Sequence, residues 1–392
     1  MTKNFLEIKI GINTFHKTLF LLFLFFALLT PADYFGFKLV SFVAIMFFNI
    51  DIILDFISKK KNFYFFFFTI IFPFCLFIFS VIRTYNFIET IKYLYIFTYI
   101  FLIPICEERK IDYTKMFMII VNFLSVIIVA SSVLDKIGII PIAANPLLMF
   151  LNDTGEAQIS VSPYAMFHYV LFLNASPLIL ISFSYFLFNK KIFLSVLNFL
   201  ALIFSGTRAN IYLGLIALLI FIFFEGSIKL LKPFLIALVV LIVFLFSGTF
   251  IEKVATINWA KNTGDQIRSL NAQSILDTLN KNPSNYLWGT GIRTYYFSLG
   301  RNDFINDSEL TYLELLRQTG LIGLIPLLIF LLRPLIAFIK NGKYFWLVTG
   351  YSLYLMKCII DPFLFTSTGF LLITLVYFEF RKTINLRTEG DN

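Results

Sequence analysis

The chain has 392 residues, of which 59% are hydrophobic, only 14% are charged and 52 are phenylalanine. Soluble domains carry roughly 25% charged residues, so this composition excludes a soluble protein and predicts one that crosses the membrane several times. The net charge of +9 would suggest nucleic-acid binding in a soluble protein. In a membrane protein lysine and arginine collect in cytoplasmic loops, so we expect no nucleic-acid partner.

Apolar runs recur along the chain at lengths near the roughly 20 residues that a helix needs to cross the hydrocarbon core. They comprise residues 18–35, 39–57, 63–82, 87–106, 116–133, 164–188, 192–204, 211–224, 230–246, 321–338, 344–360 and 362–378. We predict an all-α integral membrane protein of about 12 transmembrane helices, forming a single polytopic domain over residues 1–392. No A-x-A-like cleavage site follows the first run, so we expect the first helix to act as its own targeting signal.

Positive charge is concentrated on one side of the predicted helices. Lys59–Lys61 and Lys190–Lys191 fall in loops on the same side as both termini. The opposite short loops hold mainly isolated residues such as Lys38 and Arg83. By the positive-inside rule, both termini are then cytoplasmic and residues 251–308 lie outside, as one large loop.

The large loop (residues 251–308) carries signs of internal structure. Residues with the spacing of one apolar helix face are Ile267, Leu270, Ile275, Leu276 and Leu279. Asn282–Asn285 then breaks that predicted helix, and Gly289–Gly291 forms a tight glycine turn. We expect Asp307 and Ser308 to cap the next helix. A long loop with this much order is typical of a lid or a functional site.

Arg208 stands between two apolar runs, at the end of Ser205-Gly-Thr-Arg208. A guanidinium at a membrane boundary needs a partner, and two interpretations are open. Arg208 either snorkels to the lipid headgroups, or captures an anion together with the first N–H groups of the following helix. A guanidinium binds phosphate through two parallel hydrogen bonds and stays charged at any relevant pH.

The large loop and its continuation add further cations and a prominent carboxylate. Arg268 lies on the amphipathic helix, where a solvated face is the ordinary position, and Arg293 follows the glycine turn, which would hold it more rigidly. Arg317 has the i,i+3 spacing to pair with Glu314. Glu309 is either an ordinary acid at a helix start or a base beside a sugar hydroxyl. Fixed cations near one carboxylate suit a reaction in which a phosphate leaves.

Familiar metal and nucleotide motifs are not visible in the sequence. It lacks H-E-x-x-H, the P-loop, G-x-G-x-x-G and G-x-S-x-G. Cys75, Cys106 and Cys358 have no metal-like spacing and read as small apolar residues. We expect neither a metal nor a cofactor.

Several segments resemble the bacterial O-antigen ligase and polymerase superfamily. Ser205-Gly-Thr-Arg208-Ala is similar to its S-G-[ST]-R-[GA] segment. The segment from Arg268 to Gly291 resembles the large periplasmic loop of that superfamily. In both, an arginine is followed by a helix and then by N-P-x3-L-x-G-x-G. The usual ending of that loop, H-N-x-Y-L-x-x-L-x-x-x-G-x-x-G, corresponds to Glu309 through Gly323. The motifs cover residues 204–323, and the layout of spans also agrees.

The resemblance implies a fold and a substrate class. The superfamily has the fold of an all-helical, C-type membrane glycosyltransferase, and its substrates are glycans on undecaprenyl pyrophosphate. It therefore implies a multi-pass protein of the bacterial inner (plasma) membrane that takes part in lipopolysaccharide biosynthesis. The expected partners are lipid-linked glycans, membrane lipids, a chain-length regulator and a flippase. Glu309 stands where ligases have histidine, which favours the polymerase (Wzy-type) branch.

These observations lead to the hypothesis of a surface-polysaccharide polymerase. The acceptor hydroxyl would displace the lipid pyrophosphate with inversion, without metal or nucleotide. Arg208 and Arg268 would stabilise the leaving pyrophosphate, and Glu309 would orient or deprotonate the acceptor. The residues expected to bind substrate are Arg293, Arg317, Gly289, Gly291 and Tyr312. An O-antigen ligase and a lipid-linked glycan transporter are the alternatives. One polar external loop, rather than inverted repeats and broken helices, argues against the transporter.

Overall fold

The computed structural model describes residues 2–31, 33, 36–84, 87–161, 169–224, 266–339 and 342–390. Within these, the side chains of residues 2–12, 84, 161, 170, 208 and 385–390 are not described. The predicted span 230–246 and the first part of the large loop, 251–265, lie outside the described residues. The helices are Thr2–Leu29, Phe37–Phe47, Ile50–Ser58, Phe63–Phe66, Phe72–Thr84, Phe87–Leu94, Leu102–Glu108, Tyr113–Lys136, Pro146–Asp153, Ile179–Phe188, Ile192–Phe204, Arg208–Phe224, 266–280, Ser284–Trp288, Thr311–Ile339, Phe345–Lys357 and Ser367–Gly390.

Four helices in the described part of the chain are long and apolar enough to cross a membrane. They are Lys60–Arg83, Phe87–Glu108, Tyr113–Lys136 and Thr311–Ile339, the first two made continuous by short π and 3₁₀ turns. Phe37–Phe47 and Ile50–Ser58 form a fifth candidate that bends by 64°. Shorter apolar helices are Asn13–Leu29, Ser176–Phe188, Ile192–Phe204 and Ala209–Phe224. A largely helical membrane protein is therefore confirmed, whereas the predicted count of about 12 spans is not.

The predicted span 164–188 is wrong over residues 169–175, and its residues 164–168 lie outside the described set. Tyr169–Leu173 is a β-strand that pairs antiparallel with Ala157–Val161, and the helix begins only at Ile179. Aromatic and β-branched residues favour such a strand, and Asn174 fixes its end by donating to the carbonyl of Gly155 at 2.7 Å. Apolarity alone does not distinguish a buried strand from a helix, which explains the error.

The chain between the predicted spans 116–133 and 164–188 is also folded over residues 134–161. Asn145 caps the helix Pro146–Asp153 by accepting from the backbone N–H groups of Leu147 and Leu148 at 3.0 and 3.3 Å. Asp135 accepts from the backbone N–H of Ile142 at 3.0 Å. This segment and the paired strands Ala157–Val161 and Tyr169–Leu173 therefore form a structured surface at the end of Tyr113–Lys136.

The core of the bundle lies around the last helix, Ser367–Gly390. Phe370 through Ile373 are buried, and Phe370 packs on Phe97 with ring centroids 4.5 Å apart. Tyr113 donates through its hydroxyl to the carbonyl of Leu371 at 2.8 Å. Such hydrogen bonds satisfy polar groups that would otherwise be unpaired in an apolar interior. The helix predicted at 362–378 is thus central, although it starts at Ser367 and continues to Gly390.

Candidate active site

The helix 266–280 of the large loop packs through one face onto the start of Thr311–Ile339. Ile275, Leu279 and Tyr296 form a small buried cluster, against which Leu313 and Leu316 pack. The predicted amphipathic helix is therefore confirmed. The prediction for Leu276 is wrong, since its side chain is 41% exposed. The buried face instead includes Asn271, which accepts a hydrogen bond from Ser298.

The glycine turn of the large loop is fastened to a break in the helix Thr311–Ile339. Thr290 N–H donates to the carbonyl of Arg317 at 2.7 Å, and Gly291 N–H donates to that of Gln318 at 3.0 Å. Gly289 and Gly320 both have left-handed φ angles, +74° and +64°. A Cβ on Gly289 would meet the Gln318 carbonyl oxygen at 2.5 Å, so the two backbones touch. Gly289 and Gly291 are the glycines expected to bind substrate; here Gly291 donates to the helix break, and Gly289, like Gly320, permits close packing between two chain segments.

The same turn is anchored to a membrane helix. Ile292 N–H donates to Ser80 Oγ at 3.0 Å, and Trp288 stacks on Phe79 with ring centroids 6.2 Å apart. Both partners belong to the helix Lys60–Arg83, so the described part of the large loop lies against the helical bundle. These contacts fix the position of the glycine turn, as a site built partly on a loop requires.

Glu309 lies between two arginines of the large loop. Arg268 Nε donates to Glu309 Oε2 at 3.2 Å, and Arg301 Nη2 donates to Glu309 Oε1 at 3.3 Å. All three side chains are between a third and a half exposed. The structure therefore brings the predicted Arg268 and Glu309 together and adds Arg301. Because each carboxylate oxygen accepts from a guanidinium, Glu309 is better arranged to hold two cations than to take a proton.

Arg293 forms a second ion pair, with Asp307. Its Nη1 lies 3.1 Å from Asp307 Oδ2, and its guanidinium carbon lies 5.2 Å from the centroid of the Tyr93 ring. Arg293 has φ +58°, an uncommon left-handed conformation for a residue with a side chain. Strained backbone of this kind persists where the surroundings fix it, and it is frequent at functional sites.

Arg293 of the large loop lines a cleft of about 920 Å³ whose other walls come from residues within 31–43, 89–98 and 362–368 and from Asn174. Lys38 and Lys92 contribute two more cations to its wall, and Asp33 and Glu89 contribute carboxylates. Further lining residues are aromatic or small and polar, including Tyr93, Tyr95, Phe365, Thr366 and Ser367. The cleft can thus admit a ligand that combines an anionic group with hydroxyl-rich or apolar parts.

Asp307 has an unusual electrostatic environment for a carboxylate of the large loop. Burial is the main cause that raises the pKa of its carboxyl, Arg293 lowers it and nearby Glu314 raises it, and the net pKa is about 6. Its Oδ1 accepts from the backbone N–H of Ser308 at 3.0 Å, and the helix Thr311–Ile339 begins four residues later. The prediction that Asp307 caps that helix is therefore wrong. A carboxyl group that titrates near neutral pH is suited to proton transfer.

Arg317, expected to bind substrate, is instead fully buried. Two of its nitrogens donate to Glu314, and Nη1 donates to the hydroxyls of Thr290 and Thr294 at 3.0 and 2.7 Å. Its guanidinium carbon lies 4.4 Å from the centroid of the Tyr296 ring. The pairing with Glu314, which the i,i+3 spacing predicts, is confirmed. The enclosed position argues against substrate contact, and Arg317 holds the glycine turn to the helix.

Tyr312 and Arg208 complete the predicted set. The Tyr312 hydroxyl donates to the carbonyl of Leu355 at 3.1 Å, so in this structure it joins two helices.

Arg208 is the first residue of the helix Arg208–Phe224, and Gly206 before it has φ +69°. Its predicted place at a helix start is confirmed, whereas its side chain lies outside the described set. That the Arg208 guanidinium lies near the arginines of the large loop stays a prediction.

Sequence reasoning did not select Arg301, Asp307, Lys38 or the buried pair of Lys357 and Asp361 as site residues. Lys38 has an exposed fraction of 4% and Lys357 one of 3%. For Lys357 the available signal was its position inside an apolar run, because such a residue needs a buried partner. Lys38 stands between two apolar runs, where the sequence places it in a short loop. For Asp307 no local signal existed, since its environment is assembled by distant segments.

A protein-family model described as O-Antigen ligase matches residues 193–328. This segment contains the described Arg268–Glu309 and Arg293–Asp307 pairs. Over this segment the chain is similar to the O-antigen ligase family. The resemblance to the O-antigen ligase and polymerase superfamily is thereby confirmed. Members of the O-antigen ligase family are glycosyltransferase-like enzymes, and the match covers ligases and polymerases alike. No significant match was found among curated proteins or among solved structures.

Proposed function

We propose that this protein is a surface-polysaccharide polymerase of the bacterial inner membrane. It joins repeat units carried on undecaprenyl pyrophosphate at the periplasmic face, with both termini in the cytoplasm. The growing glycan on its lipid is the donor, and a new lipid-linked repeat unit is the acceptor. The acceptor hydroxyl attacks the anomeric carbon of the donor with inversion, and lipid pyrophosphate leaves.

One observation carries the proposal: the loop cations are held at the edge of the bundle, and one of them lines a large cleft. Arg268 and Arg301 share Glu309, and Arg293 pairs with Asp307 on the cleft wall. Preorganised donors aimed at developing charge are worth about 3 kcal/mol each in the transition state. Arginines held in this way suit a reaction in which a pyrophosphate leaves. They therefore support a lipid-linked glycan as the substrate.

Four of the predicted site residues have a role in this proposal. Arg293 binds the donor pyrophosphate in the cleft, and Arg208 and Arg268 stabilise the charge that develops as it leaves. Glu309 positions Arg268 and Arg301 when no substrate is bound. These arginines supply the charge stabilisation that a metal ion would otherwise provide. We therefore expect the purified protein to remain active when a chelator is present and no nucleotide is added. Strict dependence on a divalent ion would contradict this part of the proposal.

The polymerase proposal is tested by gel analysis of lipopolysaccharide from a deletion strain. A polymerase predicts lipid A-core bearing a single repeat unit in place of the long ladder. Bare core would instead indicate an O-antigen ligase, the alternative that the family match also covers. Absence of externally accessible repeat units would indicate a transporter. Restoration of the ladder by the wild-type gene, but not by Arg293→Ala, would link the phenotype to the cleft.

A further inference from the structure

The described part of the large loop contains one ion pair that reaches the cleft, between Arg293 and Asp307. Arg293 lines the cleft, and the carboxylate of Asp307 is poorly solvated. Asp307 Oδ2 lies 3.1 Å from Arg293 Nη1, and the Asp307 side chain is 33% exposed. Arg293 lines the cleft, so an anion that enters it competes with Asp307 for the same guanidinium. A bidentate phosphate contact is at least as favourable for arginine as a single carboxylate contact.

The charges around Asp307 determine how its carboxyl responds when Arg293 is withdrawn. The groups that face it are Arg293, Glu314, Arg317, Tyr93 and Tyr296. Arg317 is already neutralised by Glu314, and burial raises the pKa of the Tyr296 phenol, which stays uncharged at neutral pH. Burial raises the pKa of Asp307 to about 6 with Arg293 in place. Loss of the Arg293 contact removes the principal lowering influence, so the pKa of Asp307 rises toward neutral pH.

Building on the proposed polymerase function, we propose that Asp307 is the base that takes the proton of the acceptor hydroxyl once the donor pyrophosphate has drawn Arg293 away from it. The acceptor oxygen then forms its bond to the anomeric carbon, and its proton moves to the Asp307 carboxylate. The bond from that carbon to the pyrophosphate oxygen breaks, and the electron pair leaves with the pyrophosphate, which Arg293 holds. Asp307 later returns the proton to water and pairs with Arg293 again.

This assignment separates two carboxylates that lie two positions apart. Both oxygens of Glu309 accept from guanidinium groups of Arg268 and Arg301, and neither of these arginines lines the cleft. Neither carboxylate itself forms part of the cleft wall. Asp307 instead pairs with the cation that lines the cleft. Binding of the donor thus increases the basicity of Asp307 at the moment when a base is needed. A base with a pKa near the working pH is the most effective one.

The test uses purified full-length protein with lipid-linked repeat units, offered either another repeat unit or lipid A-core as acceptor. Asp307→Asn keeps the shape but cannot take a proton. We expect kcat to fall by about a hundredfold to ten-thousandfold, and donor binding to stay equal or become tighter because Arg293 is released. Wild-type kcat should fall tenfold per pH unit below the pKa of Asp307, because only the carboxylate is active. Asp307→Asn should lose this acid limb.

The matched control is Asp303→Asn, which replaces an exposed aspartate on the short strand Asp303–Ile305 of the large loop. This variant should retain the wild-type rate and pH profile. An Asp307→Asn rate within threefold of wild type would overturn the proposal, and so would a slow variant that keeps the acid limb. Loss of donor binding in Asp307→Asn would mean a structural role and would also overturn it. Use of lipid A-core alone as acceptor would contradict the polymerase function, while the pH profile in that reaction would still decide the role of Asp307. Wild-type inactivity with both acceptors would overturn both proposals.

Discussion

Arg268 donates through Nε to Glu309 Oε2 at 3.2 Å, an ion pair between residues 41 positions apart in the sequence. Arg301 completes the arrangement on the other oxygen at 3.3 Å. The pair connects the helix 266–280 to the chain just before Thr311–Ile339. These contacts give Glu309 the role of a counter-ion for two arginines. A counter-ion and a catalytic base respond differently to substitution.

Replacement of Glu309 distinguishes these two roles. A counter-ion role predicts that Glu309→Gln and Glu309→His lose activity to a similar degree, about tenfold, because neither holds two arginines. A base role predicts partial activity for His and almost none for Gln. Since the pairs are partly exposed, the change in stability should stay within about 1 kcal/mol. Transfer rates and thermal unfolding of both variants provide the comparison. Much higher activity in His than in Gln would contradict the counter-ion role.

The buried pair of Arg317 and Glu314 should dominate the stability of the large loop. Arg317→Met leaves Glu314 buried without its cation, which typically costs about 3–5 kcal/mol. We expect a clearly lower unfolding temperature in detergent. Lys59→Ala is the control, because it breaks an exposed pair with Asp55 and should cost at most about 1 kcal/mol. Equal effects of the two substitutions would show that the Arg317 pair is not buried as described.

The contact between the glycine turn and the helix break should tolerate no side chain. A Cβ on Gly320 would lie 2.2 Å from the carbonyl oxygen of Leu287, and the residue has φ +64°. We expect Gly320→Ala to expose the large loop to limited proteolysis and to abolish transfer. Gly342→Ala, where a Cβ would meet nothing within 4 Å, should leave both unchanged. Wild-type protease resistance in Gly320→Ala would refute this packing.

Arg208→Lys tests whether this arginine binds pyrophosphate. Lysine keeps the charge but lacks the planar fork, so a bidentate contact should suffer even from this mild change. Losing one preorganised contact is worth about 3 kcal/mol, roughly a hundredfold in rate. Arg83→Lys, at the end of another membrane helix, should be nearly silent. A wild-type polysaccharide ladder in Arg208→Lys at normal expression would favour an arginine that snorkels to the headgroups.

The orientation in the membrane can be tested by cysteine labelling in intact spheroplasts. Lys281 in the large loop and Lys61 between two membrane helices are both exposed. In a Cys75→Ser background, an impermeant reagent should label Lys281→Cys and leave Lys61→Cys unlabelled until the cells are opened. The other native cysteines, Cys106 and Cys358, are buried. Labelling of Lys61→Cys in intact spheroplasts would reverse the proposed topology.

The sequence by itself determined the features that depend on local pattern. Apolar runs identify a membrane protein because hydrocarbon accepts only segments with internally satisfied backbones. The i,i+3 spacing identified the pair of Arg317 and Glu314, and the helix start at Arg208 followed from its flanking residues. The order of loose motifs between residues 204 and 323 was enough to indicate the superfamily.

Tertiary structure decided the features that depend on partners far along the chain. Residues 169–173 are as apolar as a membrane helix, and only the pairing with 157–161 makes them a strand. Asp307 reads as a helix cap, yet packing raises its pKa to about 6 and places it beside Arg293. Local sequence fixes which groups are present and which elements they favour. Burial and charge pairing, which set what those groups can do, arise only when distant segments meet.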